Sequence, residues 1–161
     1  MTRRTPGKTP PNTTSKETRH VNRHQTGYRT PPARTRALSA FSILNGLVLL
    51  GVVLQGLWAG GFIGHLDGAF WLQLHMLTAY VVVILALAAA VLAVVSLRRH
   101  RAIATWSAGL FVLVAIQAEV GHEISHDGER SLIALHVPVA LLIMGLGVYL
   151  SIAAARARRS S

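Results

Sequence analysis

The chain reads as an all-α membrane protein, a four-transmembrane-helix bundle built from two parallel two-helix repeats. Three observations predict it. Hydrophobic residues make up 52% of the 161 positions against 14% charged, and they gather in four long runs. A run of about 18 or more apolar residues is long enough to cross a bilayer as a helix. A short unit occurs twice, from Gln55 to His75 and from Gln117 to His136, and each copy closes with Leu-His at the head of an apolar run. The basic residues fall almost entirely on one side of those runs.

Residues 1–36 are rich in Thr, Pro and Arg and nearly devoid of large apolar side chains. Such a segment buries too little surface to offset its ordering entropy, so it is expected to be a disordered basic tail. Pro31 and Pro32 disfavour helix immediately before the first apolar run. The basic stretch is too long for a cleaved signal peptide, and its prolines spoil the amphipathic helix of a transit peptide. Residues 37–157 form the expected transmembrane domain, with helices over about 38–60, 70–97, 102–121 and 132–155. Each is long enough for a hydrocarbon core about 30 Å thick at about 1.5 Å per residue.

Of the sixteen Lys and Arg, nine lie in the tail, three between the second and third runs and three at the end of the chain. Only Arg130 falls on the other side, where Asp67, Glu119, Glu123, Asp127 and Glu129 gather. The positive-inside rule then places both termini in the cytoplasm, in a multi-pass protein of the cell membrane. Both repeats begin inside, cross out and return, so an axis along the membrane normal relates them. That symmetry sets His75 and His136 at the same depth in the outer leaflet, on helices facing each other across the axis.

An ionisable side chain within a membrane span is costly and points to function. Neutral imidazole is a common axial ligand of heme iron, and bundles build cofactor sites from inward side chains on facing helices. Ala79 and Ala86 follow His75, and Ala140 and Gly147 follow His136, leaving room for a flat macrocycle or for close helix packing. Pro138 opens the first turn after His136. Gln55 and Gln117 stand behind the histidines, placed to bond them, heme propionates or a quinone. The alternative is that each histidine hydrogen-bonds within the bundle and holds no cofactor.

The order Gln, Gly, outer loop and Leu-His, repeated over four helices, resembles one half of a heme A synthase. It is also similar to cytochromes of the b561 type and to small four-helix bacterial membrane proteins. The likeness covers about residues 38–155. It implies a heme b ligated by His75 and His136, the positions matching the synthase's histidines on its second and fourth helices. The chain has one such half, without the paired glutamates that the synthase uses for catalysis in its first outer loop. What the resemblance implies is thus the heme site rather than the synthase reaction.

His122-Glu123-Ile124-Ser125-His126 fits the zinc protease pattern H-E-x-x-H, with Glu123 as general base. Leu66-Asp67-Gly68 matches the LDG of intramembrane proteases, but there LDG follows the histidine motif and here it precedes it. The repeat also pairs His65 with His126, so part of the match is the repeat itself. His65, His122 and His126, with Asp127, form the candidate metal site. The chain contains no cysteine, which excludes thiolate sites and disulfides. Glu119, where the first copy has Leu57, is read as a carboxylate at the outer helix end, with Arg130 as its partner. Gly56 and Gly60 favour close helix contact, within the bundle or between copies of a homo-oligomer. The net charge of +10 sits in the tail and at the cytoplasmic helix ends, suited to anionic lipid. Nucleic acid is not an expected partner, since Tyr28 alone offers stacking in the tail.

The leading expectation is a b-type cytochrome-like protein in electron transfer or heme handling, working with a redox partner or quinone. A cofactor-free accessory membrane protein is the alternative, and a metal-dependent membrane hydrolase the weaker one.

Overall fold

The computed structural model describes Thr2 and residues 33–64, 67–126 and 130–160, with the side chains of Arg34, His126 and Arg130 excepted. Apart from Thr2, the basic tail up to residue 32 lies outside the described residues, as do His65 and Asp127. From Ala33 onward the described residues form one compact unit. Its elements are α1 (Ala33–Ile63), α2 (Gly68–Ser96), α3 (Arg101–His126), a 3-10 turn (Arg130–Leu132) and α4 (Ile133–Arg159). Among the described residues there is no strand.

All four helices are long and apolar enough to span a membrane, and the protein is a multi-pass membrane protein. Its surface has the character that requires: Ile84 is 65% exposed and Leu141 69% exposed, and similar side chains coat every helix. A helix apolar on its outward face needs lipid rather than water around it.

Each helix was expected from its apolar run alone, and α1, α3 and α4 run beyond theirs. α1 begins at Ala33 rather than Leu38, α3 continues five residues past Gly121, and α4 ends at Arg159 rather than Ala155. Ala33–Arg36 therefore belong to α1 rather than to the tail. The reason is backbone hydrogen bonding. A helix entering the headgroup zone keeps its internal bonds satisfied by continuing, whether or not the next side chain is apolar. α2 starts where Asp67 caps it, the carboxylate accepting from the Phe70 amide at 3.4 Å.

Each helix packs on two neighbours: α1 on α2 and α4, and α3 on α2 and α4. Among the described residues the backbones of neither diagonal pair come close, so α2 and α4 face each other across the bundle axis. The fully buried apolar side chains lie toward one end, from Leu38, Phe41 and Val48 through Ala86, Ala89, Ala93 and Leu110 to Leu150 and Ala154. Small residues let the backbones close up there. Gly51 admits Val82, and a Cβ on Gly147 would meet Leu49 Cδ2 at 2.6 Å. Asn45, wholly buried, ties α1 to α4 by donating at 2.8 Å to both the Gly147 carbonyl and Ser151 Oγ. Arg158 extends that seam, donating to Ser42 Oγ and to the Leu38 carbonyl.

Above Val82, Val114 and Ile143 the close packing stops. Toward the other end the diagonal helices stand apart around a space, and the fold thus makes a bundle closed below and open within above.

Candidate functional site

That space is a cavity of about 580 Å³ lined by all four helices. Its walls follow the internal repeat. Shifting α1 onto α3 by the Gln55-to-Gln117 spacing, and α2 onto α4 by the His75-to-His136 spacing, superposes most of the lining. Gln55 pairs with Gln117 and His75 with His136 at the sides, and Val52 with Val114 and Val82 with Ile143 at the floor. Small residues pair as Gly56 with Ala118, Ala59 with Gly121 and Ala79 with Ala140. Met76 with Val137 and Tyr80 with Leu141 complete the set. A stable bundle core would fill this volume with large side chains. Here both halves place small ones.

The two glutamines do the same thing in each half. Gln55 Nε2 donates to the His75 carbonyl at 2.7 Å, and Gln117 Nε2 to the His136 carbonyl at 2.6 Å. Each amide therefore holds the histidine's backbone rather than its ring. Bonds of this kind fix how far up the neighbouring helix each histidine sits, and leave the imidazole free of the glutamine amide nitrogen.

The rings themselves are held differently. His75 Nδ1 lies 3.1 Å from the Gln55 carbonyl oxygen. A carbonyl can only accept, so Nδ1 carries the proton and Nε2 the lone pair. Phe62 meets the His75 ring edge-on at 5.5 Å between centroids. Around it Trp58 donates to Thr78 Oγ1 at 3.1 Å and lies 5.4 Å from Trp71, which Gly61 allows to approach closely. His136 has none of this. Its Nδ1 is buried without a hydrogen-bond partner among the described residues. Its ring lies against Gly121, where a Cβ would stand 3.1 Å from Cε1.

Two lining residues break the repeat with polar groups on α3 alone. Glu119 and His122 face the cavity where the first half has Leu57 and Gly60. Glu119 is exposed as well as lining, and it lies seven residues before the end of α3 rather than at that end. The H-E-x-x-H motif occupies the last turns of α3, with His122 turned to the cavity. Among the described residues no three metal-ligating side chains converge. His65 and the His126 side chain lie outside what the structure describes, and so does the Arg130 side chain. At the cavity rim Val53, Tyr80, Val137 and Leu141 are all more than half exposed, so the space reaches the lipid-facing surface.

Sequence reasoning found the histidines and glutamines and missed the residues that set the rings. Phe62 and Gly121 gave no polar signal; at the closed end Asn45, also missed, was one amide inside an apolar run. Comparing the two repeat copies was the one available clue, since it sets Phe62 against Ile124 and Asn45 against Ser107.

Fold and site together define the class: a multi-pass four-helix membrane bundle with a repeat-symmetric cavity flanked by paired histidines. No protein-family model, curated protein or solved structure matches the chain.

Proposed function

We propose that the protein is a b-type heme-binding, cytochrome-like protein of the cytoplasmic membrane, serving electron transfer or heme handling near the outer face. His75 and His136 are the axial pair. The observation that carries the reading is that one cavity receives a histidine from each half of the repeat, at matching positions. The residues suit the group. A volume of about 580 Å³ falls in the range of ligand sites, roughly 300–1,000 Å³. Alanine and glycine walls suit a flat body, and His136 Nδ1 is buried with no hydrogen-bond partner among the described residues. When bound, heme supplies one-electron chemistry. The chain's own part is to present two imidazoles at fixed height through Gln55 and Gln117, and to keep water from the floor with Val52, Val82, Val114 and Ile143.

Both termini belong in the cytoplasm on this reading, with Arg36, Arg98, Arg99, Arg101, Arg156, Arg158 and Arg159 at the inner face. Trp58, Phe62, Phe70 and Trp71 then form an outer aromatic belt and Trp106 an inner anchor. A quinone or a redox protein is the exchange partner.

A cofactor-free accessory membrane protein is the competing reading. The two glutamine-to-backbone bonds favour it, because they join helices without any ligand. Reduced-minus-oxidised absorbance spectra of the protein purified from heme-replete cells decide the matter. A b-type difference spectrum, lost or altered in shape in His75→Ala and in His136→Ala, is expected. Its absence in the wild type overturns the heme reading.

A further inference from the structure

The repeat makes the two histidines equivalent in position, and the structure makes them unequal in support. From that inequality, and resting on the heme reading above, we infer that His75 is the anchored ligand and His136 the exchangeable one. The protein thereby offers a small neutral diatomic molecule a coordination position on the α4 side.

Three differences carry this. The first is the hydrogen bond from His75 Nδ1 to the Gln55 carbonyl, against a His136 Nδ1 with no partner among the described residues. A hydrogen bond at the outer nitrogen of a ligating histidine fixes its tautomer and orientation and raises its basicity, and losing it typically costs about 10–100-fold in metal affinity. The second is packing. His75 is met edge-on by Phe62, and a separate Trp58–Trp71 pair joins the same two helices, whereas the repeat sets Ile124, Val120 and Leu132 where the first half has Phe62, Trp58 and Trp71. The third is the backbone. Pro138 lies two residues beyond His136 inside α4 and withholds the amide that Ala134 would otherwise receive, while α2 has Leu77 there and keeps its ladder.

Exchange at this position moves no electrons. One coordinate bond to the His136 imidazole breaks, one to the incoming ligand forms, and the imidazole leaves neutral. The ring is packed against Gly121 on the α3 side, so the imidazole that leaves has to turn into the cavity of about 580 Å³.

Carbon monoxide titrated into the reduced, full-length protein in detergent tests this by absorbance. The wild type should bind it. His136→Ala should keep its heme and bind carbon monoxide about tenfold or more tightly, because an open position populated to about 10% or less in the wild type is then always open. His75→Ala should lose its heme. The inference is overturned by a wild type inert to carbon monoxide, by heme loss in His136→Ala as complete as in His75→Ala, or by the reverse order. Imidazole NMR of the heme-free wild type gives a test that needs no variant to fold. A hydrogen-bonded Nδ1 proton is expected on His75 and not on His136, and the same signature on both overturns the inequality. A wild type with no b-type spectrum refutes the heme reading itself, a separate outcome from all of these.

Discussion

Asn45→Ala isolates the strongest tie at the closed end of the bundle. Asn45 is wholly buried, and its amide nitrogen makes two bonds across to α4, at 2.8 Å each. Interhelical side-chain bonds in membrane proteins average about 0.6 kcal/mol with a ceiling near 1.7, because the alternative states also find partners. Two such bonds contribute about 1 kcal/mol, and the small void left by truncation adds a comparable amount at most. Against this, Asn45 Oδ1 is buried without a partner among the described residues, and its removal returns part of the loss. The net expectation is a destabilisation of about 1–2 kcal/mol. Ser107 occupies the equivalent position in the second half, yet it bonds only within its own helix, to the Ile103 carbonyl at 2.6 Å. Ser107→Ala should therefore cost less than about 0.5 kcal/mol, since such back-bonding adds nothing between helices. Unfolding in mixed micelles by increasing denaturing detergent, followed by helical circular dichroism, measures both. Equal losses at the two positions refute the reasoning, because they would mean that burial rather than bonding across the seam sets the cost.

Gln55→Leu and Gln117→Leu each remove one bond to a histidine carbonyl and should each cost about 0.6 kcal/mol in the same assay. The double variant should lose close to the sum, as the two contacts share no partner; a loss confined to one of the pair counts against the functional equivalence of the halves. Topology is testable without background labelling, since the chain has no cysteine. A cysteine at Ser160 should resist a membrane-impermeant maleimide in intact cells and one at Gly68 should react. The reverse pattern overturns the assigned orientation.

Much of the architecture was legible beforehand because the bilayer is a demanding solvent. Length and apolarity leave few structures that satisfy every backbone group. Helix ends were less legible, as α3 shows. Gly121 looks like a terminator in a sequence that is judged by hydropathy, but the backbone continues to His126 and carries His122 round to the cavity. The repeat likewise announced the pairing of His75 with His136 and of Gln55 with Gln117. It could not say that the glutamines would grip the histidines' carbonyls rather than their rings, because side-chain reach across a helix pair depends on the relative height of the two helices.

From the sequence alone came four membrane helices, two repeated halves and a histidine from each at one depth. These follow from composition and period, which are properties of the chain taken residue by residue. Tertiary structure alone decided that packing is close toward one end and leaves a cavity at the other, and that this cavity keeps the repeat's symmetry in its walls. It also decided that His75 is braced while His136 is not. Those outcomes turn on a phenylalanine, a glycine and a proline whose effect depends on what stands opposite them, and neighbours across a bundle axis are set only when the helices have packed.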